Sequence, residues 1–199
     1  MENDFFHPDL ITYSTYMKAL CKRRDIEGAL SIYDLVKEKN FKIDEVLFNT
    51  LLDGLLKANE LKLALGIYEE MLAMKVSPSN VTYSILCKTY QKLGEFDKAF
   101  ALLDEIKSRG IKVGLIVYTC LLQAAVKTKN VSMMITIYEE VKQSGLKCDR
   151  VFFNILISGL LFNNEIDAAI NILKLTMKLK IKLNMDVYTN LLRRLHDAY

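Results

Sequence analysis

A four-residue pattern recurs along this chain at one fixed interval: ITYS (11–14), VLFN (46–49), VTYS (81–84), IVYT (116–119), VFFN (151–154) and DVYT (186–189). Each copy begins 35 residues after the last, without a slip. Self-similarity at such a period points to one supersecondary unit per repeat. Numbered from the residue before the motif, the full copies are 10–44, 45–79, 80–114, 115–149 and 150–184, with a half copy at 185–199. Residues 1–9 read as the remnant of a preceding repeat, because Pro8-Asp9 looks like the end of one. The array is therefore expected to be a piece of a longer one.

Within a copy the apolar residues fall at i, i+3, i+4 and i+7, as in Tyr83, Leu86, Cys87 and Tyr90. That spacing forms one face of an amphipathic helix. A polar break, Lys92-Leu93-Gly94-Glu95, precedes a second helix running from about Phe96 to Arg109. Gly110 and Gly145 stand where a helix C-terminus wants a left-handed residue, and Pro78 falls in the loop before the next copy. Position 4 is aromatic in every copy (Tyr13, Phe48, Tyr83, Tyr118, Phe153, Tyr188). Position 7 is Tyr16, Leu51, Leu86, Leu121, Leu156 and Leu191, and position 20 is small in four of five copies (Ala29, Ala64, Ala99, Met134, Ala169). One helical hairpin cannot bury its own apolar face, whereas stacked hairpins can. The predicted fold is all-α, a right-handed α-solenoid of five full repeats and a half repeat, forming a single repeat domain over 10–199. Position 4 belongs to its core rather than to a base-stacking platform.

The chain has 199 residues, 26% of them charged, and a formal net charge of +3. A total so near neutral excludes indiscriminate binding to anions, so any charged partner is recognised by where the charge sits. Cys21, Cys87, Cys120 and Cys148 never approach a C-x-x-C spacing, and only His7 and His196 could supplement them, so no metal site and no cofactor is expected. The cysteines read as reduced thiols packed in helices. The N-terminus, MENDFFHPDL, has neither the charge pattern of a secretory signal nor that of an acid-poor transit peptide. No apolar run reaches the length of a membrane helix. Phosphate-binding glycine motifs are absent, and so is the H-x-E…C-x-x-C pattern of the zinc deaminases. His196-Asp197 has no nucleophile beside it. The chain carries no catalytic constellation.

The period, the copy VTYSILCKTYQKLGEFDKAFALLDEIKSRGIKVG, the stretch YEEM at 68–71 and the PS at 78–79 together resemble a pentatricopeptide repeat, over residues 8 to 199. The tetratricopeptide repeat has a 34-residue period and wants a small residue early in its first helix. Met17, Leu52, Cys87, Leu122 and Ile157 are too bulky for that.

Position 13 is Lys22, Lys57, Lys92 and Lys127, with Phe162 in the fifth copy. Stacked in register, four such ammonium groups would follow a phosphate backbone. A lysine at a helix end is also what the helix dipole favours. The acidic pairs Glu69-Glu70, Asp104-Glu105 and Glu139-Glu140 fall late in the second helix, on the other side of the layer. The resemblance implies that position 13 faces phosphate. Position 5 is Ser14, Asn49, Ser84, Thr119, Asn154 and Thr189. Such residues cap helices, and they also offer the donors and acceptors that reading a base requires. The resemblance implies that position 5 works with the last residue of its repeat: Asp44, Ser79, Gly114, Asp149 and Asn184. It also implies that position 2 wedges between bases: Ile11, Val46, Val81, Ile116 and Val151. Carried over copy by copy, Ser14/Asp44 suggests G, Asn49/Ser79 C, Thr119/Asp149 G and Asn154/Asn184 C or U. Ser84/Gly114 is undetermined, and the half copy, with Asp186 in place of the wedge, is a cap rather than a reader.

The expected partner is single-stranded RNA of sequence 5′-G-C-N-G-Y-3′, bound by a monomer that needs no membrane. Binding would serve RNA processing, stability, editing or translation. The resemblance places such proteins in mitochondria or plastids, without support from this N-terminus, and the cytoplasm stays open. A protein-interaction scaffold is the alternative, as is the RNA-recognition arm of a larger enzyme such as a protein-only ribonuclease P.

Overall fold

The computed structural model describes residues 8–198. Residues 1–7, with His7 and most of the predicted N-terminal remnant, lie outside it, as do Tyr199 and the side chain of Asp197. Among the described residues there are eleven α-helices and no strand. They are α1 (Leu10–Lys22), α2 (Ile26–Glu38), α3 (Glu45–Ala58), α4 (Leu61–Ala73), α5 (Asn80–Leu93), α6 (Phe96–Ser108), α7 (Leu115–Lys127), α8 (Val131–Gln143), α9 (Arg150–Phe162), α10 (Ile166–Lys178) and α11 (Met185–Ala198). The odd-numbered helices are the first helix of each copy, and every one starts within a residue of the copy boundary read from the sequence. The fold is all-α and built of helical repeats.

The chain divides into two compact units, Met1–Glu95 and Phe96–Tyr199, parted in the turn between the two helices of the third copy. In the first unit α3 packs against α1, α2, α4 and α5. In the second, α7 and α9 pack against each other, α9 also against α11, and α8 and α10 lie against their own repeat's first helix. Within each unit the first helices touch along a row, while no second helix packs closely against the next.

The row is held by the positions the period singles out. Tyr13, Phe48, Tyr83, Tyr118 and Phe153 at position 4 are buried, and so are all five residues at position 20. Met17, Leu52, Cys87, Leu122 and Ile157 at position 8 have no exposure at all, which explains why a small residue there would leave a void. Two expectations are corrected. Tyr16 at position 7 is exposed, unlike the leucines that share its position. Cys148 lies in the loop before α9, half-buried, whereas Cys21, Cys87 and Cys120 are buried in helices.

The turns repeat as strictly as the helices. Just past the first helix of each full copy, Arg24, Asn59, Gly94, Lys129 and Asn164 have positive φ; past the second, Asn40, Lys75, Gly110, Gly145 and Lys180 do. The backbone N–H that follows then reaches back to the helix, as in Asp25 N to Leu20 O at 3.0 Å and Val76 N to Met71 O at 3.0 Å. This is the 6→1 bond of a left-handed helix stop. The glycines were legible in the sequence, whereas the lysines, arginine and asparagines that take the same conformation at a cost were not.

Candidate nucleic-acid interface

The residue that ends each copy starts the next helix. Asp9, Asp44 and Asp149 cap α1, α3 and α9, their carboxylates accepting from Thr12 N, Leu47 N and Phe152 N at 2.8–2.9 Å. Ser79 caps α5: its hydroxyl accepts from Val81 N at 3.2 Å, and Thr82 Oγ1 accepts from Ser79 N at 3.1 Å, closing a reciprocal capping box. Gly114 occupies the cap position of α7. Capping is thus the work of the last residue, not of position 5, which lies a full turn inside the helix. The residues expected to act as the second base reader therefore already have a structural duty, one that holds them at a helix N-terminus.

Position 2 lies in the first turn, and its side chain is turned away from the core. Ile11, Val46, Val81, Ile116 and Val151 are between 49% and 75% exposed. Beside them, Ser14, Asn49, Thr119 and Asn154 at position 5 are half-buried. Ser84 departs from this pattern: it is only 3% exposed, and its hydroxyl donates to Val81 O at 2.8 Å. The groove-facing place expected of it is not where the structure has it.

Two copies bring position 5 and the last residue together. In 150–184, Asn184 N donates to Asn154 Oδ1 at 3.1 Å. In 45–79 the link runs through one hydroxyl, since Thr82 Oγ1 accepts from Ser79 N and donates to Asn49 Oδ1 at 2.7 Å. Both bonds use the asparagine's carbonyl oxygen and leave its NH₂ as the group with donors to offer. In Asn49 that NH₂ donates to Glu45 Oε1 at 2.9 Å. Thr119 spends its hydroxyl on Leu115 O at 2.8 Å.

The lysines at position 13 are all exposed, but they are not equivalent. Lys22 ends α1 and Lys127 ends α7. Lys57 pairs with Asp53 at 2.5 Å, one turn back on its own helix. Lys92 reaches Leu56 O at 2.8 Å and so caps the C-terminus of α3, a position where the helix dipole favours a cation. In the first unit the two readings of these lysines therefore divide between residues. One turn earlier, at position 9, Lys18, Lys88 and Arg193 are also exposed. They share the lysines' helix face, since i and i+4 are neighbours. A column-by-column count of charge would have found them, because each stands four residues before position 13.

The second-helix layer carries a different charge pattern. Lys37 pairs with Glu70 at 3.1 Å and Lys107 with Glu140 at 2.8 Å, each bridging two successive copies. Tyr118 donates its hydroxyl to Glu140 at 3.2 Å; burial, with the Glu140 charge beside it, pushes this phenol up to about 12. Two of the six predicted acidic residues, Glu70 and Glu140, are thus spent in pairing repeats.

The family model described as the pentacotripeptide-repeat region of PRORP matches residues 10–158, and a pentatricopeptide repeat model matches 151–181. The chain belongs to the pentatricopeptide repeat family. Solved structures agree in fold. The maize pentatricopeptide repeat protein PPR10 superposes with a TM-score of 0.81 at 21% identity, over 98% of this chain and 28% of that one. The same protein in complex with an 18-nucleotide psaJ RNA element gives 0.75 at 20% identity, over 98% and 29%. The PPR domain of Arabidopsis thaliana protein-only RNase P 1, in complex with tRNA, gives 0.78 at 16% identity, over 92% and 96%. This pentatricopeptide repeat chain spans under a third of the maize protein's length. No curated protein sequence matches it.

Proposed function

We propose that this pentatricopeptide repeat chain binds single-stranded RNA, one base per repeat, and acts by binding rather than by chemistry of its own. The observation that carries the reading is the row of exposed β-branched side chains at position 2. A solvent-exposed isoleucine or valine recurs in each full copy, and in four of the five it stands one turn from a half-buried polar residue, Ser84 being buried in the third. An apolar edge beside a hydrogen-bonding group suits a base, which has a flat face and a polar rim, and one base per helical repeat is the mode of this repeat class. The maize relative in complex with RNA supports the same reading. The readers are Ser14/Asp44, Asn49/Ser79, Thr119/Asp149 and Asn154/Asn184, and the site is 5′-G-C-N-G-Y-3′. Lys22 and Lys127 take phosphates, with Lys18 and Lys88 adding to the field, and the monomer is the binding unit. An organellar setting rests on the family alone.

Five bases are too few to select one transcript among many competitors. The family match to the repeat region of PRORP, with the fit to an RNase P PPR domain over 96% of its length, favours a second reading. In that reading the chain is the RNA-recognition arm of a larger enzyme. Titration of G-C-N-G-Y RNA, a scrambled RNA and a folded tRNA at several salt concentrations separates the two. The first reading expects preference for G-C-N-G-Y and a log–log salt slope of about −1.4 for the two phosphate contacts of Lys22 and Lys127, steepening towards about −3 if all four position-13 lysines engage. Equal affinity for both oligonucleotides would sink it, and tighter binding of tRNA than of either would support the second. Absence of binding at low salt would turn the groove over to a peptide ligand.

A further inference from the structure

The fifth copy breaks the lysine row with Phe162, and the structure shows what surrounds that substitution. Phe162 is 57% exposed at the end of α9. It lines a cavity of about 530 Å³ together with Ser158 from the same helix and Asn190, Arg193 and Arg194 from α11. A volume of that size is in the range of small-ligand sites. Lys129 stands 5.3 Å from the ring centroid and is not among the residues lining the cavity. Lys127 ends the neighbouring helix α7. One flat aromatic ring and two arginine side chains thus line the cavity, with the Lys129 ammonium beside the ring, where the four earlier copies present a lysine.

We infer that this cavity holds one further nucleotide, directly 3′ of the base read by Asn154/Asn184, with its base stacked on Phe162 and its phosphate on Arg193 or Arg194. The inference rests on the RNA-binding reading and extends it past the fifth copy. The reasoning is chemical complementarity. A lysine at position 13 offers a cation, which suits a phosphate, whereas an aromatic ring there offers a flat apolar face, which suits a base. A guanidinium fork is suited to the phosphate that must lie beside such a partner. The half copy cannot wedge this base in the usual way, since Asp186 stands in place of the apolar position 2. Stacking does not require reading, because every base presents a π-face. The sixth nucleotide is therefore held without regard to its identity.

The test compares the pentamer G-C-N-G-Y with hexamers carrying one added 3′ nucleotide, including 2-aminopurine as a fluorescent base. The expected result is a hexamer affinity about ten-fold or more above the pentamer's, as for one stacked base. All four added bases should agree within about two-fold, and 2-aminopurine emission should be quenched on binding. Phe162→Ala removes both the affinity ratio and the quenching, while Phe162→Tyr keeps them. Arg193→Ala with Arg194→Ala makes the hexamer's salt slope shallower by roughly 0.7 for a lost phosphate contact. A hexamer no tighter than the pentamer, a gain that survives Phe162→Ala, or a strong preference for one added base overturns the inference and leaves the five-base reading intact. A pentamer that fails to bind at low salt overturns both.

Discussion

The copies 45–79 and 150–184 carry the same asparagine at position 5, yet hold it differently. Asn49 receives its hydrogen bond from a side chain, the Thr82 hydroxyl, whereas Asn154 receives it from a backbone amide, that of Asn184. The end of the helix differs as well. Asp53 and Lys57 form an ion pair in one copy, and Ser158 and Phe162 line a cavity in the other. The difference teaches that the identity at position 5 does not by itself fix how that side chain is held. The amide of Asn49 is oriented by Thr82 of the next copy, and that of Asn154 by Asn184 of its own copy.

The comparison can be broken first at the level of the core. Leu52 and Ile157 occupy the same position and are equally buried, so Leu52→Ala and Ile157→Ala should each cost about 2–5 kcal/mol in denaturant unfolding. A large asymmetry would mean that the repeats do not pack alike. The code itself comes next. Asn49→Thr with Ser79→Asp should move the preference at the second base from C to G by about 1–3 kcal/mol, the scale of an unpaired donor or acceptor. Competition binding with single-base RNA variants reads this directly. A smaller effect isolates the neighbour. Thr82→Val removes the donor to Asn49 and should cost about 0.5–1.5 kcal/mol of selectivity at the second base and none at the fifth. Val187 already stands at the equivalent place beside Asn154, so the fifth copy serves as the control. The smallest change concerns the turns. Lys75 and Lys180 have φ of 57° and 56°, so glycine at either should stabilise the fold by about 0.5–1 kcal/mol, equally in both copies. Thermal melts of Lys75→Gly and Lys180→Gly check it.

Much of this was legible because the period converts sequence into geometry. Residues 35 apart must share an environment, so Ala29, Ala64, Ala99 and Ala169 declare a tight helix contact before any coordinate is known. The same logic separates position 4 from position 2: both are apolar, but only position 4 is aromatic throughout. It misled at Tyr16, which shares its position with five leucines yet is exposed.

Sequence alone determined the repeat unit, the two helices within it, the all-α class and the columns from which a site would be drawn. These follow from local periodicity, and the 3.6-residue turn translates spacing into faces without reference to distant residues. The tertiary structure alone decided which polar groups remain available. It assigned the helix caps to Asp44, Ser79 and Asp149, buried Ser84, paired Lys57 with Asp53 and placed Phe162 among arginines from another helix. These outcomes depend on which groups lie within reach of one another, along one helix for Lys57 and Asp53 and between helices for Phe162 and the arginines of α11. That is a matter of three-dimensional proximity, to which a 35-residue count is blind.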